Sequence, residues 1–253
     1  MVKVSGLIIT YNEEENIKRC LESLHDVCDE IVVVDSFSTD KTEDICRQFN
    51  VRFIQNAWKG FLDQKNFAQS QASYDHVLQL DADEALSDEL KQQIIAVKSD
   101  WKKGGYHFKR FTNYCGKWIR HSGWYPDSKL RLYDRRIGNW QGLDPHPEVI
   151  MQVGESYDVL KGDLLHYSYV SYEDHINRSA KYAKQAAMAM KQMGRNPSTI
   201  KLIVSPFYRF INDYFFRGGF RDGFEGLIIC RTAAYYTFLK YMYLRLIYKG
   251  KSI

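Results

Sequence analysis

The sequence has few cysteines, and nothing in their spacing suggests a disulfide framework. The five cysteines of the 253-residue chain are odd in number and include no C-x-x-C pair. Such cysteines are typical of the reducing cytosol, where free thiols pack in the core, and they argue against a disulfide-stapled fold or a zinc site. We therefore expect a cytoplasmic protein that is stabilised by a hydrophobic core.

Long apolar stretches and an N-terminal signal sequence are also absent. No segment reaches the roughly 18 uncharged apolar residues that a transmembrane helix needs, and Met1–Val4 leads directly into a strand-like run. The formal net charge is only +4 and 45% of the residues are hydrophobic, which argues against disorder. These absences predict a globular protein that does not span a membrane.

Basic and aromatic residues are concentrated in the last fifth of the chain. Residues 206–253 hold 14 aromatic, eight basic and three acidic residues, so they carry +5 while residues 1–205 carry −1. Residues 227–248 are predicted to form one helix that is apolar on nearly all sides, as in interfacial helices on anionic lipid. A helix packed on the rest of the protein, with its basic side chains in water, is the open alternative. No nucleic-acid partner is expected, because no recognised binding module accompanies the charge.

The first hundred residues alternate between short apolar runs and helical periodicity. The runs are typical of buried parallel strands: Val4–Ile9, Ile31–Val34, Val51–Ile54 and Val77–Leu80. Asn12 is predicted to cap the first intervening helix. The alternation predicts an α/β fold whose mostly parallel, Rossmann-like sheet is flanked by helices.

The pattern also predicts an internal organisation. Residues 1–100 are expected to form a βαβ half, and residues 101–170 the second half of the same domain. Residues 171–253 are expected to form a helical, aromatic-rich, basic extension that associates with membranes. Its first helix is predicted over residues 171–193, because Gly194 and Pro197 follow it.

Acidic residues follow the predicted strand at Val77–Leu80. In an open parallel sheet, ligands bind beyond the carboxyl ends of the strands, and Asp81-Ala82-Asp83-Glu84 stands at this position. Two aspartates there can hold a divalent cation that is shared with substrate phosphates. An acidic turn that leads into a helix capped by Ser87 is the structural alternative.

Polar loops also follow the first two strands, at Thr10–Glu13 and Asp35–Asp40. Asp35 stands where a carboxylate can accept a hydrogen bond from a ribose hydroxyl or a base N–H, although capping of the next helix would also explain it. Neither loop contains the glycine motif of a dinucleotide site or a P-loop.

These motifs, taken in order, resemble the family 2 inverting glycosyltransferases of the GT-A fold. The resemblance begins with Ile8–Glu14, Asp35–Thr42 and Asp81–Glu84. Further motifs resemble the bacterial subgroup that includes lipopolysaccharide core β-1,4-glucosyltransferases: Gln64–Asn66, Gly123–Asp127, Leu130–Tyr133 and Leu164–Tyr169. The resemblance covers nearly the whole chain. It implies that residues 1–100 form the nucleotide-sugar-binding half and residues 101–170 the acceptor-side and catalytic half of one domain.

The resemblance implies a role for each matching residue. The uridine of a nucleotide-sugar donor would be surrounded by Thr10, Tyr11, Glu13 and Asp35. Lys65 would face its pyrophosphate or sugar. Asp83 would bind Mn²⁺ or Mg²⁺, with Asp81 acting through the ribose or a water, and His166 would complete the coordination. Without the resemblance, His166 between leucines and tyrosines is more typical of a core histidine.

Inverting transfer also needs a base that takes the proton of the acceptor hydroxyl. Asp144, His146 and Glu148 are the candidates, and Pro147 separates His146 from Glu148 where many relatives have His-Glu as neighbours. We choose Glu148, because inverting enzymes of this class use a carboxylate, and leave His146 and Asp144 as alternatives. A proline-stiffened loop with surface acids is the structural explanation.

Acceptor-side residues are expected at Trp124, Tyr125 and Arg131. Aromatic faces stack on sugars and arginine pairs with phosphate or acidic sugars, although packing would explain the two aromatic residues equally well.

The sequence thus predicts a metal-dependent inverting hexosyltransferase. It would move a hexose, glucose being expected, from a UDP-sugar to a lipopolysaccharide core or other lipid-linked glycan at the inner face of the bacterial cytoplasmic membrane. A sugar nucleotidyltransferase and a catalytically silent, membrane-associated carbohydrate-binding protein are the alternatives.

Overall fold

The computed structural model describes residues 1–142, 144 and 147–252. The chain divides into two compact units, Met1–Phe111 with Asp127–Tyr167 and Thr112–Pro126 with Ser168–Ile253. The strands, in chain order, are β1 (Val4–Thr10), β2 (Glu30–Asp35), β3 (Arg52–Gln55), β4 (His76–Asp81), β5 (Glu84–Leu86), β6 (Gly105–Tyr114), β7 (Lys117–Trp118), β8 (Asp127–Asp134), β9 (Gly138–Gln141), β10 (Glu148–Met151) and β11 (Tyr157–Tyr169). The α-helices are α1 (Ile17–Leu24), α2 (Thr42–Cys46), α3 (Phe61–Ser70), α4 (Asp88–Ser99), α5 (Tyr172–Gln192), α6 (Thr199–Ile211) and α7 (Gly223–Tyr248).

The main sheet has the order β3-β2-β1-β4-β8-β6-β11-β5 and is mixed. The four strands predicted from the apolar runs, β1 to β4, are confirmed and pair in parallel. Beyond β4 the pairing changes, because β8 runs antiparallel to both β4 and β6. The expected α/β sheet with flanking helices is therefore confirmed, with an antiparallel half that the apolar runs did not indicate.

Two apolar clusters cover the two faces of β1. Ile8 belongs to a cluster with Leu21 of α1 and Leu90 of α4, whereas Leu7 belongs to one with Ala68 of α3. Alternate residues of a strand point to opposite faces, so a strand buried on both faces is apolar throughout. This explains why β1 appears in the sequence as a nearly continuous apolar run.

Of the two predicted helix caps at Ser87 and Asn12, one is confirmed and the other is wrong. Ser87 caps α4 as predicted, its hydroxyl accepting a hydrogen bond from the Leu90 N–H at 3.3 Å. The prediction that Asn12 caps α1 was wrong, because α1 begins at Ile17 after Asn16. Asn12 has φ of +53°, and its side chain accepts a hydrogen bond from the Thr39 N–H at 2.8 Å, so it joins two loops instead.

The second unit is built around α7, which packs against both α5 and α6. The predicted helix at residues 171–193 is confirmed as α5, and the Ser171 hydroxyl accepts a hydrogen bond from the Asp174 N–H at 3.1 Å. The single helix predicted over residues 227–248 is confirmed as part of α7. A π-helix (Asn212–Phe216) and a 3₁₀ turn (Gly219–Asp222) connect α6 to α7. No helix in the described ranges is long and apolar enough to cross a bilayer.

Candidate active site

The carboxyl ends of three parallel strands bring three of the predicted residues to one edge. In the sheet register Thr10 of β1 is opposite Asp35 of β2, and its neighbour Ile9 is opposite Asp81 of β4. Ligands bind beyond this edge of an open α/β sheet, because the loops that leave the strands diverge there. The backbone therefore places the polar loops after β1, β2 and β4 at the same edge of the sheet.

Hydrogen bonds hold the loops after β1 and β2 together. The Asn12 N–H donates to the Ser38 hydroxyl at 2.8 Å. Both carboxylate oxygens of the buried Asp35 accept hydrogen bonds from Ser38, one from its N–H at 2.8 Å and one from its hydroxyl at 2.5 Å. Asp35 therefore shapes its own loop and does not cap the next helix, because α2 begins after Lys41.

Thr10, Tyr11 and Glu13 differ in their surroundings. The Thr10 hydroxyl is buried and has no hydrogen-bond partner among the residues that the structure describes. Tyr11 is exposed, and the Glu13 carboxylate accepts a hydrogen bond from the Asn16 side chain at 2.8 Å. An unsatisfied buried hydroxyl costs free energy, and a bound ligand is one way to remove that cost.

Asp81 is held between two cations. One of its carboxylate oxygens accepts from the Lys65 ammonium, and the other lies 3.1 Å from the Arg131 guanidinium. Burial raises the pKa of Asp81, but the charges of Lys65 and Arg131 outweigh this and hold it well below its usual range. Asp81 is therefore ionised at neutral pH, and its negative charge is already neutralised by the protein.

Glu84 extends this network and has a structural role that the sequence reasoning missed. Its buried carboxylate accepts from Arg131 at 2.7 Å and from the backbone N–H of Asp81 at 3.0 Å. Arg110 lies 3.8 Å from Glu84 and bonds the Asp127 carboxylate at 2.5 Å. Glu84 belongs to the acidic tetrad and was visible as a candidate, whereas Arg110 becomes recognisable only through the register that places it opposite Asp127.

Three consecutive residues of α3 connect three separate segments to the site. Gln64 donates to the Ser36 hydroxyl after β2 at 3.0 Å, and Asn66 donates to the Trp140 carbonyl in β9 at 3.1 Å. Lys65, between them, binds Asp81 and lies 4.5 Å from the centre of the Trp140 ring. The Gln64–Asn66 motif thus aligns the helix with the ends of two strands and with β9.

Asp83 and His166 form a separate pair. An Oδ2 atom of Asp83 lies 3.3 Å from Nε2 of His166, which β11 places opposite Glu84 of β5. Burial raises the pKa of Asp83, but His166 outweighs it through charge and a hydrogen bond, so that the pKa lies below its usual value. A carboxylate and an imidazole that face each other offer two ligands of types that Mn²⁺ accepts. The described residues contain no group of three or more His, Cys, Asp and Glu side chains that could hold a metal.

A cavity of about 310 Å³ connects the network to Glu148. Its lining includes Lys65, Asp81, Arg131, Trp140 and Glu148. Glu148 begins β10 and is exposed, and its partner in the register is Gln141 of β9. The cavity thus brings the predicted base and three predicted binding residues to one space.

Asp144 has a different position from Glu148. Its two carboxylate oxygens accept hydrogen bonds from the first N–H groups of α3, from Phe61 at 3.1 Å and from Leu62 at 2.9 Å. These N–H groups have no partner within the helix, and a carboxylate there is favoured by the helix dipole. A Cβ on Gly60, whose φ is +131°, would lie 2.0 Å from Asp144, so the cap requires glycine there. His146, the other alternative base, lies outside the described residues.

Trp124 and Tyr125 belong to the second compact unit. Trp124 packs within that unit at 5.6 Å from the Tyr114 ring and 5.7 Å from the Tyr169 ring, between ring centres. Arg120 lies over the Tyr125 ring at 5.7 Å. Packing accounts for these contacts, as the alternative for the two aromatic residues predicts.

The fold and the residues at the carboxyl ends of β1, β2 and β4 define the class of protein. It is an α/β protein whose ligand site lies beyond the carboxyl ends of parallel strands. Comparison with known proteins then specifies the family. The profile of glycosyl transferase family 2 matches residues 5–153. A glycosyltransferase of Rickettsia typhi is 31% identical over 97% of this chain and 87% of its own length. The lipopolysaccharide core biosynthesis glycosyltransferase LpsC of Rhizobium meliloti is 31% identical over 93% of this chain and 89% of its own. The chain therefore belongs to glycosyl transferase family 2, and it is a glycosyltransferase.

A solved structure supports the fold over nearly the whole chain. TarS residues 1–349 of S. aureus, crystallised in complex with UDP, align with 98% of this chain and 92% of their own length, with a TM-score of 0.51. The identity is 18%, so this likeness concerns the fold alone. The GT-A-like architecture predicted from the sequence is confirmed.

Proposed function

We propose that this family 2 glycosyltransferase is an inverting, metal-dependent hexosyltransferase that uses a UDP-sugar, with glucose the expected sugar. The acceptor would be a lipopolysaccharide core or another lipid-linked glycan. The observation that carries the proposal is the common edge of β1, β2 and β4, where the Asp81 network, the Asp83–His166 pair and the cavity of Glu148 follow the strand ends.

The nucleotide would bind at the loops after β1 and β2. The buried Thr10 hydroxyl, which lacks a partner among the described residues, would gain one from the ligand. Tyr11, Glu13 and Asp35 would complete the uridine site, and the exposed Tyr11 ring is available for stacking on the base. The UDP in the TarS crystal structure is consistent with this choice of nucleotide.

Asp83 and His166 would hold Mn²⁺ or Mg²⁺. Their facing oxygen and nitrogen atoms, 3.3 Å apart, fit two ligands of one ion, and substrate phosphates and water commonly supply the others. The ion would neutralise the negative charge that develops on the departing diphosphate. Lys65 and Asp81 would contribute at the pyrophosphate and ribose side.

Glu148 would act as the base. Its carboxylate would take the proton of the acceptor hydroxyl as the acceptor oxygen bonds to the anomeric carbon and the bond to the diphosphate breaks. Asp144 is less suited, because both of its oxygens bind the start of α3. Glu148 instead lines the cavity, away from the start of α3 along β10.

The acceptor would be a lipopolysaccharide core glycan, as the name of the LpsC relative suggests. Trp124, Tyr125 and Arg131 remain the proposed acceptor-side residues, Arg131 because it lines the cavity with Glu148. A lipid-linked acceptor would require the enzyme at the inner face of the cytoplasmic membrane, where residues 206–253 would contact the surface.

A panel of nucleotide sugars tests this function. The full chain would be assayed for hydrolysis and for thermal stabilisation by each sugar, with Mn²⁺, with Mg²⁺ and with a chelator. A response to UDP-sugars that needs the cation supports the proposal. Turnover of a nucleoside triphosphate with a sugar 1-phosphate would instead indicate a nucleotidyltransferase, and binding without hydrolysis or transfer would indicate a silent protein.

A further inference from the structure

Helix α6 presents an apolar face to solvent. Six side chains on it are exposed at helical spacing: Ile200, Ile203, Val204, Phe207, Tyr208 and Ile211. At 100° per residue they fall within an arc of about 140°. The most exposed, Ile200 and Phe207, retain 74% and 70% of their surface. Contiguous apolar faces of this kind mark interaction surfaces, because exposing them to water is unfavourable.

The opposite side of α6 is the one that packs. Leu202, Pro206 and Phe210 are half-buried, and α6 contacts α7. The guanidinium of Arg245 in α7 also donates to the Thr199 hydroxyl at the start of α6, at 2.8 Å. Helix α6 therefore packs on α7 with one side, while its more apolar side has no partner among the described residues.

Aromatic exposure continues along the chain after α6. Phe215 and Phe216 of the π-helix are exposed, and so are Phe220 and Phe224 further on. Beneath this segment Asp213 is buried and binds Arg209, while Arg217 lies 3.7 Å from it. Both ion pairs join residues four positions apart, so they stabilise the helical backbone that carries these exposed rings.

The exposed charged side chains of the segment that contains α6 are all basic. Between residues 191 and 221 the basic residues are all exposed: Lys191, Arg195, Lys201, Arg209, Arg217 and Arg221. The one acidic residue in this range is Asp213, which is 1% exposed and bound to arginine. An apolar face bordered by cations complements a bilayer surface that contains anionic lipids.

We propose that residues 199–216, which comprise α6 and the π-helix, are the membrane-contacting surface of this enzyme. The apolar face of α6 inserts among the headgroups of anionic phospholipids, and the surrounding Lys and Arg side chains contact the phosphates. This inference rests on the proposed membrane location and specifies it. A second copy of the chain is a poorer partner, because two such faces would bring like charges together.

The inference also changes which helix contacts lipid. The sequence pattern pointed to residues 227–248, but Ile229, Leu239 and Leu244 of α7 are buried in the second unit. Helix α7 instead supports α6. Three of the six exposed apolar residues of α6, Ile200, Ile203 and Val204, precede residue 206. They therefore lie outside the segment that composition alone marked as basic and aromatic.

Vesicle flotation of the full chain tests the inference. Vesicles of phosphatidylethanolamine and phosphatidylglycerol are compared with phosphatidylcholine vesicles. We expect the wild type to float with the anionic vesicles, and the double variant Ile203→Glu, Phe207→Glu to lose about tenfold or more of its partitioning. The matched control Ile95→Glu, Val153→Glu places the same charges at exposed apolar positions of the first unit and should float like the wild type.

Three measurements keep the outcomes distinct. Circular dichroism melts establish that both variants are folded, and sedimentation reports self-association. Unchanged flotation of the α6 variant, or equal flotation of the wild type on phosphatidylcholine, would refute the inference, as would a wild-type dimer that the α6 variant dissociates. Cation-dependent UDP binding is measured in parallel. Wild type that binds UDP without floating refutes only the inference, and wild type that floats without binding UDP refutes only the function.

Discussion

Asp144 and Glu148 show at the scale of single residues how position assigns roles to chemically similar groups. Both are carboxylates of one short segment, and the sequence analysis chose Glu148 as the base with Asp144 left as an alternative. Asp144 uses both oxygens to cap α3, whose first residue, Phe61, lies 83 positions earlier in the chain. Glu148 instead lines the cavity that Asp81 also lines. A cap contributes to stability and a base to the rate, so the two roles can be separated experimentally.

Glu148→Gln should abolish transfer while UDP binds nearly as well as to the wild type. The amide keeps the size of the side chain but cannot accept a proton, so kcat should fall by about 10²- to 10⁴-fold. Steady-state kinetics and calorimetry with UDP measure the two effects. Turnover close to the wild-type rate would assign the base to a neighbour.

Asp144→Ala should instead lower the free energy of unfolding by about 1 kcal/mol, because two N–H groups at the start of α3 lose their acceptors. Urea unfolding measures this loss, and kcat should fall much less than in Glu148→Gln. An intact stability together with a complete loss of turnover would contradict the capping role.

Arg131→Met should destabilise the protein strongly. It leaves the buried carboxylate of Glu84 without its closest cation, and removal of one partner of a buried ion pair costs about 3–5 kcal/mol. Lys129→Met is the control, because Lys129 makes a partly exposed pair with Asp127 and should change stability by less than about 1 kcal/mol. Equal effects of the two substitutions in urea unfolding would show that the buried network contributes little.

At the scale of secondary-structure elements, an aromatic cluster joins α5 to the end of β6 within the second unit. Nδ1 of the buried His175 of α5 and the Tyr114 hydroxyl are joined by a hydrogen bond of 2.9 Å. Burial lowers the pKa of His175 from 6.5 to about 4. The unfolded chain therefore takes up this proton at a higher pH than the folded protein does.

The contribution of His175 to stability should consequently decline in acid. It is complete above pH 6.5 and is lost as the pH falls toward about 4, by an amount on the order of 2–3 kcal/mol. Urea unfolding of the wild type and of His175→Gln between pH 4.5 and about 7.5 isolates this group from other titrations. We expect the stability difference between the two proteins to shrink in acid. A constant difference would mean that His175 titrates normally.

At the scale of the whole molecule, UDP with a divalent cation should stabilise the folded enzyme. A ligand at about 100 times its Kd adds about 2.7 kcal/mol, which for a chain of this size raises Tm by roughly 5–10 °C. A chelator should remove most of this increase, and Asp83→Asn should do the same if it removes the proposed ligand of the cation. An equal shift with and without the chelator would contradict the metal site.

Much of the fold was predictable because burial follows local periodicity. The runs of β1, β2 and β4 are buried along nearly their whole length, and the helix signals at Ser87 and Ser171 lie next to the helices that they cap. The prediction that Asn12 caps α1 was wrong because its side chain instead accepts a hydrogen bond from Thr39, 27 residues further along the chain. Strand β11 was harder to recognise, since most of its residues are exposed or half-buried and form no continuous apolar run.

The sequence by itself determined the parallel strands, the order of the polar loops at their ends and the family. These follow from periodicity and from motifs whose residues are neighbours along the chain. Tertiary structure alone decided that Arg131 neutralises Asp81 and Glu84, that Asp144 caps α3, and that α6 turns its apolar face outward. Each of these depends on which distant segments meet and in what register, and hydrophobic patterning specifies burial without specifying the partner.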